Sequence, residues 1–154
     1  MKNIVAVLAI CLSSLTAFSA QRPDFSGTWV FTPESSKNIG MMSAMKMTQT
    51  IQQSSSALDV MSATTFQGGD QQMKTHYDLG GKSVTNDSPM AGPSDTVTKW
   101  DGDKLVTTWT SQGAVSGTKT VRTETRSLSP DGKTMTVESV RGSSSPVVMV
   151  FEKK

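Results

Sequence analysis

The stretch SDTVTKWDGDKLVTTWTS, residues 94–111, sets the strongest limit on how this chain can fold. SDTVTKW and KLVTTWTS are rich in Thr, Val and Trp, and Asp101-Gly102-Asp103 separates them with the Asp-Gly step that favours a hairpin turn. GTKTVRTETRSL and KTMTVESV repeat the arrangement across Ser129-Pro130-Asp131-Gly132, where proline presets the first turn corner. Turn signals recur about every ten residues, the spacing of an all-β sandwich or barrel, and no segment sustains a helical period. Connections this short make neighbouring strands antiparallel. The simplest reading is an up-and-down meander of about ten strands, by the alternation rule.

The first strand is expected over Asp24 to Thr32, followed by a short helical turn within ESSKNIGMMSA. Further strands fall on residues 45–53, on ALDVMSATT, on residues 71–79 and on KSVTN, the shortest; residues 87–94 read as a loop, and PVVMVFEKK as the last strand. An open sheet of this size exposes two edges, a hazard removed by closure into a barrel. Phe25, Gly27, Trp29 and Phe31 share one face of the first strand, Met45, Met47 and Ile51 one of the second, and Val147, Met149 and Phe151 one of the last. Those faces are expected to meet inside. The opposite faces carry Thr, Lys and Glu, which argues against a transmembrane barrel.

Residues 1–20, MKNIVAVLAICLSSLTAFSA, have the charged start, apolar centre and small-residue exit of a secretory signal peptide, leaving a domain over residues 21–154. Export to a periplasmic or extracellular location follows as an expectation. The apolar run is shorter than the ~20 residues a membrane span needs, so no stable membrane insertion is expected. Cys11 is the only cysteine and lies in that leader; Ile10 before it argues against a lipid-anchored form. The remaining domain has no thiol for a disulfide, a thiolate metal site or a nucleophile. Its net charge of +1 points to neither nucleic acid nor an anionic membrane.

DFSGTWVF, residues 24–31, places Gly27 inside a strand, where glycine is costly unless a neighbour must approach the backbone. An aromatic followed by Gly-x-Trp on the first strand resembles the signature of the calycins, the lipocalin and fatty-acid-binding-protein superfamily. KWDGDKLVTTW, residues 99–109, resembles the Trp-Asp-Gly hairpin of the fatty-acid-binding branch, and VFEKK resembles its terminal strand. The resemblance implies a barrel whose floor Trp29 closes where first and last strands meet. Three features depart from that branch. About a dozen residues stand where it has a helix-turn-helix lid; Met149-Val150-Phe151 stands where it has a carboxylate-binding Arg-x-Tyr; and this chain carries an export signal. Bacterial secreted lipocalin-like proteins fit that location better.

His76, the only histidine, lies beside Asp78 in KTHYDL and reads as an exposed strand residue opposite a polar neighbour, since a transition-metal site needs more ligands. No motif selects an activated serine or threonine, and the glutamates are scattered. MMSAMKM, residues 41–47, offers soft thioethers that suit copper(I) in a minor reading, and flexible lining for a ligand mouth or core in the favoured one. Arg122, Glu124 and Arg126 share one face of their strand; both faces are polar, and the row reads as a solvated outer ladder. Turned inward, it would be the one visible anchor for an anionic head group. Tyr77 and Trp109 complete the lining candidates.

These observations favour a non-enzymatic, monomeric carrier of a small hydrophobic or amphipathic ligand, with no cofactor or metal. Its ligand-binding candidates are Trp29, Phe31, Met47, Tyr77, Trp109, Arg122, Arg126 and Phe151. The alternative is an envelope interaction or structural protein with a filled barrel.

Overall fold

The computed structural model describes residues 22–88 and 91–154, so the signal segment expected over residues 1–20 lies outside the described residues. Ten strands follow one another: β1 (Gly27–Phe31), β2 (Lys46–Gln53), β3 (Ala57–Phe66), β4 (Gly69–Asp78), β5 (Ser83–Ser88), β6 (Gly92–Asp101), β7 (Lys104–Gln112), β8 (Lys119–Leu128), β9 (Thr134–Arg141) and β10 (Val147–Lys153). Two 3-10 helical turns, Pro33–Ser35 and Gly40–Ala44, fill the connection between β1 and β2. All ladders are antiparallel, in the order β4-β3-β2-β1-β10-β9-β8-β7-β6-β5. Strand alternation and short turns thus give the expected nearly closed all-β barrel.

Two boundaries differ from expectation. β1 begins at Gly27 rather than Asp24 and is the shortest strand, because Phe25 leaves the strand path to cap the barrel floor. β5 runs to Ser88 and β6 starts at Gly92, so most of the expected loop at 87–94 is ladder, with Ser88 opposite Gly92. Polar Asn86, Asp87 and Ser94 disguised these strand ends.

One end of the barrel is closed by apolar burial. Phe25, Trp29 and Phe151 are fully buried, with Ile51, Leu58, Leu105 and Met135 packed among them. The Trp29 indole N–H donates to the Phe25 carbonyl at 2.8 Å, which fixes both rings. Phe25 stacks on Trp100 with ring centroids 6.2 Å apart, and the Arg22 guanidinium lies 5.2 Å from the Trp100 centroid. Gln53 ties this N-terminal plug to β2, accepting from the Phe25 N–H at 2.9 Å and donating to the Pro23 carbonyl at 3.0 Å.

The neighbour that Gly27 requires is Lys153. A Cβ on Gly27 would stand 2.9 Å from the Lys153 Cε, and the Gly27 φ of 131° is one that L side chains avoid. The freed space lets the Lys153 chain cross the backbone and set its ammonium 5.2 Å from the Trp29 ring centroid. Glycine, tryptophan and the last strand thus form one contact at the floor.

The barrel does not close by a ladder. β4 and β5 are the sheet edges, and Asn86 bridges them with its side chain. Its Oδ1 accepts from the His76 N–H at 2.9 Å, and its Nδ2 donates to the His76 carbonyl and to Thr96 Oγ1, both at 2.8 Å. One amide side chain therefore satisfies the two backbone groups that a tenth, closing ladder would have paired.

Candidate functional site

The inner wall changes character from floor to middle. β6 and β7 turn Thr96, Thr98 and Thr107 inward, all buried, with the Thr98 and Thr107 hydroxyls 2.9 Å apart. Beside this stripe stands the row from β8. Arg126 is 4% and Glu124 7% exposed, while Arg122 is half-buried toward the opposite rim. The row therefore faces inward, which corrects the outer-ladder reading. β8 is polar on both faces, so its parity is imposed by its neighbours: Arg126 lies opposite Leu105 on β7 and Val137 on β9, both core residues.

The burial is supported by mutual pairing. Glu124 sits between the two guanidiniums, its Oε1 accepting from Arg126 Nη2 at 3.4 Å and its Oε2 lying 3.7 Å from Arg122 Nη1. Arg126 Nη1 also donates to Gln49 Oε1 at 3.2 Å and to the Met135 sulfur at 3.3 Å. Two guanidiniums against one carboxylate leave a positive surplus inside the barrel, where an uncompensated charge is costly.

Two aromatics complete the cluster. The Arg122 guanidinium lies 4.6 Å from the Trp109 ring centroid, and Tyr77 meets Trp109 edge-on at 6.0 Å. Burial, seconded by the Glu124 charge, pushes the Tyr77 hydroxyl far above the usual phenol range, so the phenol stays neutral. The Trp109 indole N–H is buried and has no hydrogen-bond partner among the described residues. Indole is a donor only, so this group calls for an acceptor.

The predicted lining residues thus divide into three groups. Tyr77, Trp109, Arg122 and Arg126 converge. Trp29 and Phe151 are fully buried in the floor. Phe31 and Met47 border a recess of about 480 Å³ between β1 and β2. Sequence reasoning passed over Gln49, the link between β2 and Arg126; its signal was a polar residue spaced between inward-facing Met47 and Ile51. His76 pairs across strands with Asp59, Nδ1 to Oδ1 at 2.9 Å, rather than with Asp78. In the methionine-rich stretch, Met41 is 82% exposed on the Gly40–Ala44 turn, whereas Met47 turns inward on β2.

No family model and no curated protein matches the sequence. Solved structures do match. A protein described as REP1-NXSQ fatty acid transporter aligns with a TM-score of 0.66 at 15% identity, over 84% of this chain and 95% of that one. Fatty-acid-binding protein 1 of Echinococcus granulosus aligns at 0.65 and 12% identity, over 84% of this chain and 96% of that one. Human cRBP IV aligns at 0.64 and 18% identity, over 86% and 99%. The chain has the calycin fold, in the ten-stranded form of the fatty-acid-binding proteins.

Proposed function

We propose that this chain is an exported, non-enzymatic carrier of a small amphipathic molecule whose polar head bears an acceptor oxygen, with a carboxylate the best match. The observation that carries this reading is the unpartnered Trp109 N–H, buried beside Arg122 in a cluster with a positive surplus. An anionic head would accept from the indole and offset the extra guanidinium, while its apolar part would replace water along aromatic and methionine side chains. The descriptions of two structural neighbours, a fatty acid transporter and a fatty-acid-binding protein, support a hydrophobic cargo. Export rests on residues 1–20, and a monomer suits a barrel whose edges are already joined.

The test is native mass spectrometry of the protein exported from its full-length precursor, before and after organic extraction. The expected result is a monomer carrying an extractable amphipathic acid, with a mature chain starting at Gln21 or Ala20. Trp109→Phe keeps the ring and removes the donor, and should weaken binding of a fluorescent carboxylate about tenfold, the effect of losing one hydrogen bond to a charged group.

The second reading, a filled barrel that acts as an envelope interaction protein, is favoured by the floor, where Trp29, Phe25 and Phe151 leave no exposed surface. A bare mass that persists after incubation with mixed lipids would select it.

A further inference from the structure

β8 and β9 set two arginines against each other at the open end of the barrel. Arg122 lies directly opposite Arg141, and Arg141 shares its strand face with Met135 and Val137, both core residues, so the pair belongs to the inner wall where it reaches the rim. The bond from the Ser129 N–H to the Thr134 carbonyl closes this hairpin, and alternation up the ladder from it makes Arg122 and Arg141 a non-hydrogen-bonded pair. Such pairs bring side chains closest, and like charges directly opposite are destabilising.

No carboxylate of this chain relieves them. Glu124 is already held between Arg122 and Arg126, and among the described residues Arg141 has no ion-pair partner. Residues 111–123 and 139–149, which build this side of the mouth, contain neither Asp nor Glu. The strand end is fixed in place by a tight turn, in which the Ser144 N–H donates to the Arg141 carbonyl at 3.0 Å.

The pair is part of a longer row. Thr96 on β6, Trp109 on β7, Arg122 on β8 and Arg141 on β9 stand in register across four strands. The Thr96 hydroxyl is used within the wall, accepting from Asn86 Nδ2 at 2.8 Å and donating to the Val84 carbonyl at 2.9 Å. What remains of the row is donors alone: the unpartnered indole N–H of Trp109, itself 5% exposed, and the two guanidiniums. With Arg126, three guanidiniums face one carboxylate, and a head group bearing a single negative charge would leave one of them unmatched.

We propose that this row selects a dianionic head group, seated across Arg122 and Arg141 with one oxygen on the Trp109 N–H. The inference rests on the carrier reading above and sets the charge of the head at two. Two neighbouring carboxylates give each guanidinium its own planar partner, and a phosphate monoester gives both guanidiniums one doubly charged partner. Either form brings the row to neutrality and turns a repulsion in the empty barrel into a bridge in the loaded one.

The test is calorimetric titration of the exported protein at pH 8 with dodecanoate, dodecylsuccinate and dodecyl phosphate, each below its micelle concentration. At that pH both the succinate and the phosphate head are dianions. At least one dianion should bind about tenfold more tightly than dodecanoate, the effect of one further charge-assisted contact, and which of them leads names the form of the head. Arg141→Gln should bring the ratio of the two affinities to about one. Because it also removes the like charge opposite Arg122, it should melt no lower than wild type in the absence of ligand. Dodecanoate binding as tightly as both dianions would overturn the proposal and leave the carrier reading standing, as would a preference that survives Arg141→Gln. If none of the three amphiphiles binds, both readings fall. The comparison of the three on the unaltered protein needs no variant, so misfolding of Arg141→Gln cannot decide the result.

Discussion

Replacing Asn86 with alanine should break the barrel at its one unladdered seam. The side chain makes three hydrogen bonds, at 2.9, 2.8 and 2.8 Å, and two of them satisfy the backbone of His76 on β4. Each contributes about 1 kcal/mol net, and a group left unsatisfied in a dry site costs ~1–3 kcal/mol. Asn86 is buried, but the edge beside it can admit water once the amide is gone, which limits the penalty on the orphaned His76 groups. The loss should therefore be about 3 kcal/mol. With a urea m-value of about 2 kcal/mol/M, the unfolding midpoint falls by about 1.5 M. Hydrogen exchange supplies the local readout: the His76 amide should lose most of its protection, while the Met61 amide, in the ladder between β3 and β2 opposite Thr50, should follow only the change in global stability. A midpoint within about 0.3 M of wild type, together with an unchanged His76 exchange rate, would refute the idea that Asn86 stands in for a ladder.

Trp29→Ala should cost ~3–5 kcal/mol in denaturant melts, since it empties the floor and frees Phe25; a wild-type melt would contradict the floor assignment. Gly27→Ala should cost ~1–3 kcal/mol for its positive φ and its collision with Lys153. Adding Lys153→Ala should recover only the steric share, and full recovery would show that the backbone is unstrained. Tyr77 is the chain's one tyrosine, so ultraviolet titration reports it alone. Its folded pKa lies above the ordinary 10.0, so its contribution to stability is complete below pH 10 and is lost as pH rises toward the folded value. Tyrosinate absorbance should therefore appear together with alkaline unfolding, and Tyr77→Phe should raise the pH at which the barrel melts. A simple titration of the folded protein at pH 10 would place the hydroxyl in water.

The strand count and most hairpins were legible because each rests on local signals: turn chemistry at Asp101-Gly102 and Pro130-Asp131-Gly132, and alternation between them. The floor was legible as well, since Gly27 and Trp29 raise a question that only a close neighbour answers. The orientation of Arg122, Glu124 and Arg126 was not. On β8 threonine and charge alternate, so neither face is the apolar one, and the decision belongs to Leu105 and Val137 on other strands. Gln49 joins Arg126 across 77 positions of sequence, beyond any local pattern. The path of residues 32–37 along β10 was equally hidden, because it depends on backbone bonds from Lys37 to Val148.

The strand order, β4-β3-β2-β1-β10-β9-β8-β7-β6-β5, is the chain order read as a circle and cut at the seam. Lys154 already touches β1, its N–H donating to the Thr28 carbonyl at 2.9 Å. A circular permutant joined there by a short linker and opened at Gly80-Gly81 would start with β5 and finish with β4. Every strand would then pair with its sequence neighbour, and the ladder between β1 and β10 would change from the longest-range contact of the fold into another hairpin. The seam contacts that β4 makes with β5 and β6 would become the longest-range ones in exchange, so contact order and folding rate should stay close to those of the parent chain. The side-chain bridge at Asn86 is thus where the architecture keeps its freedom to choose where the chain begins.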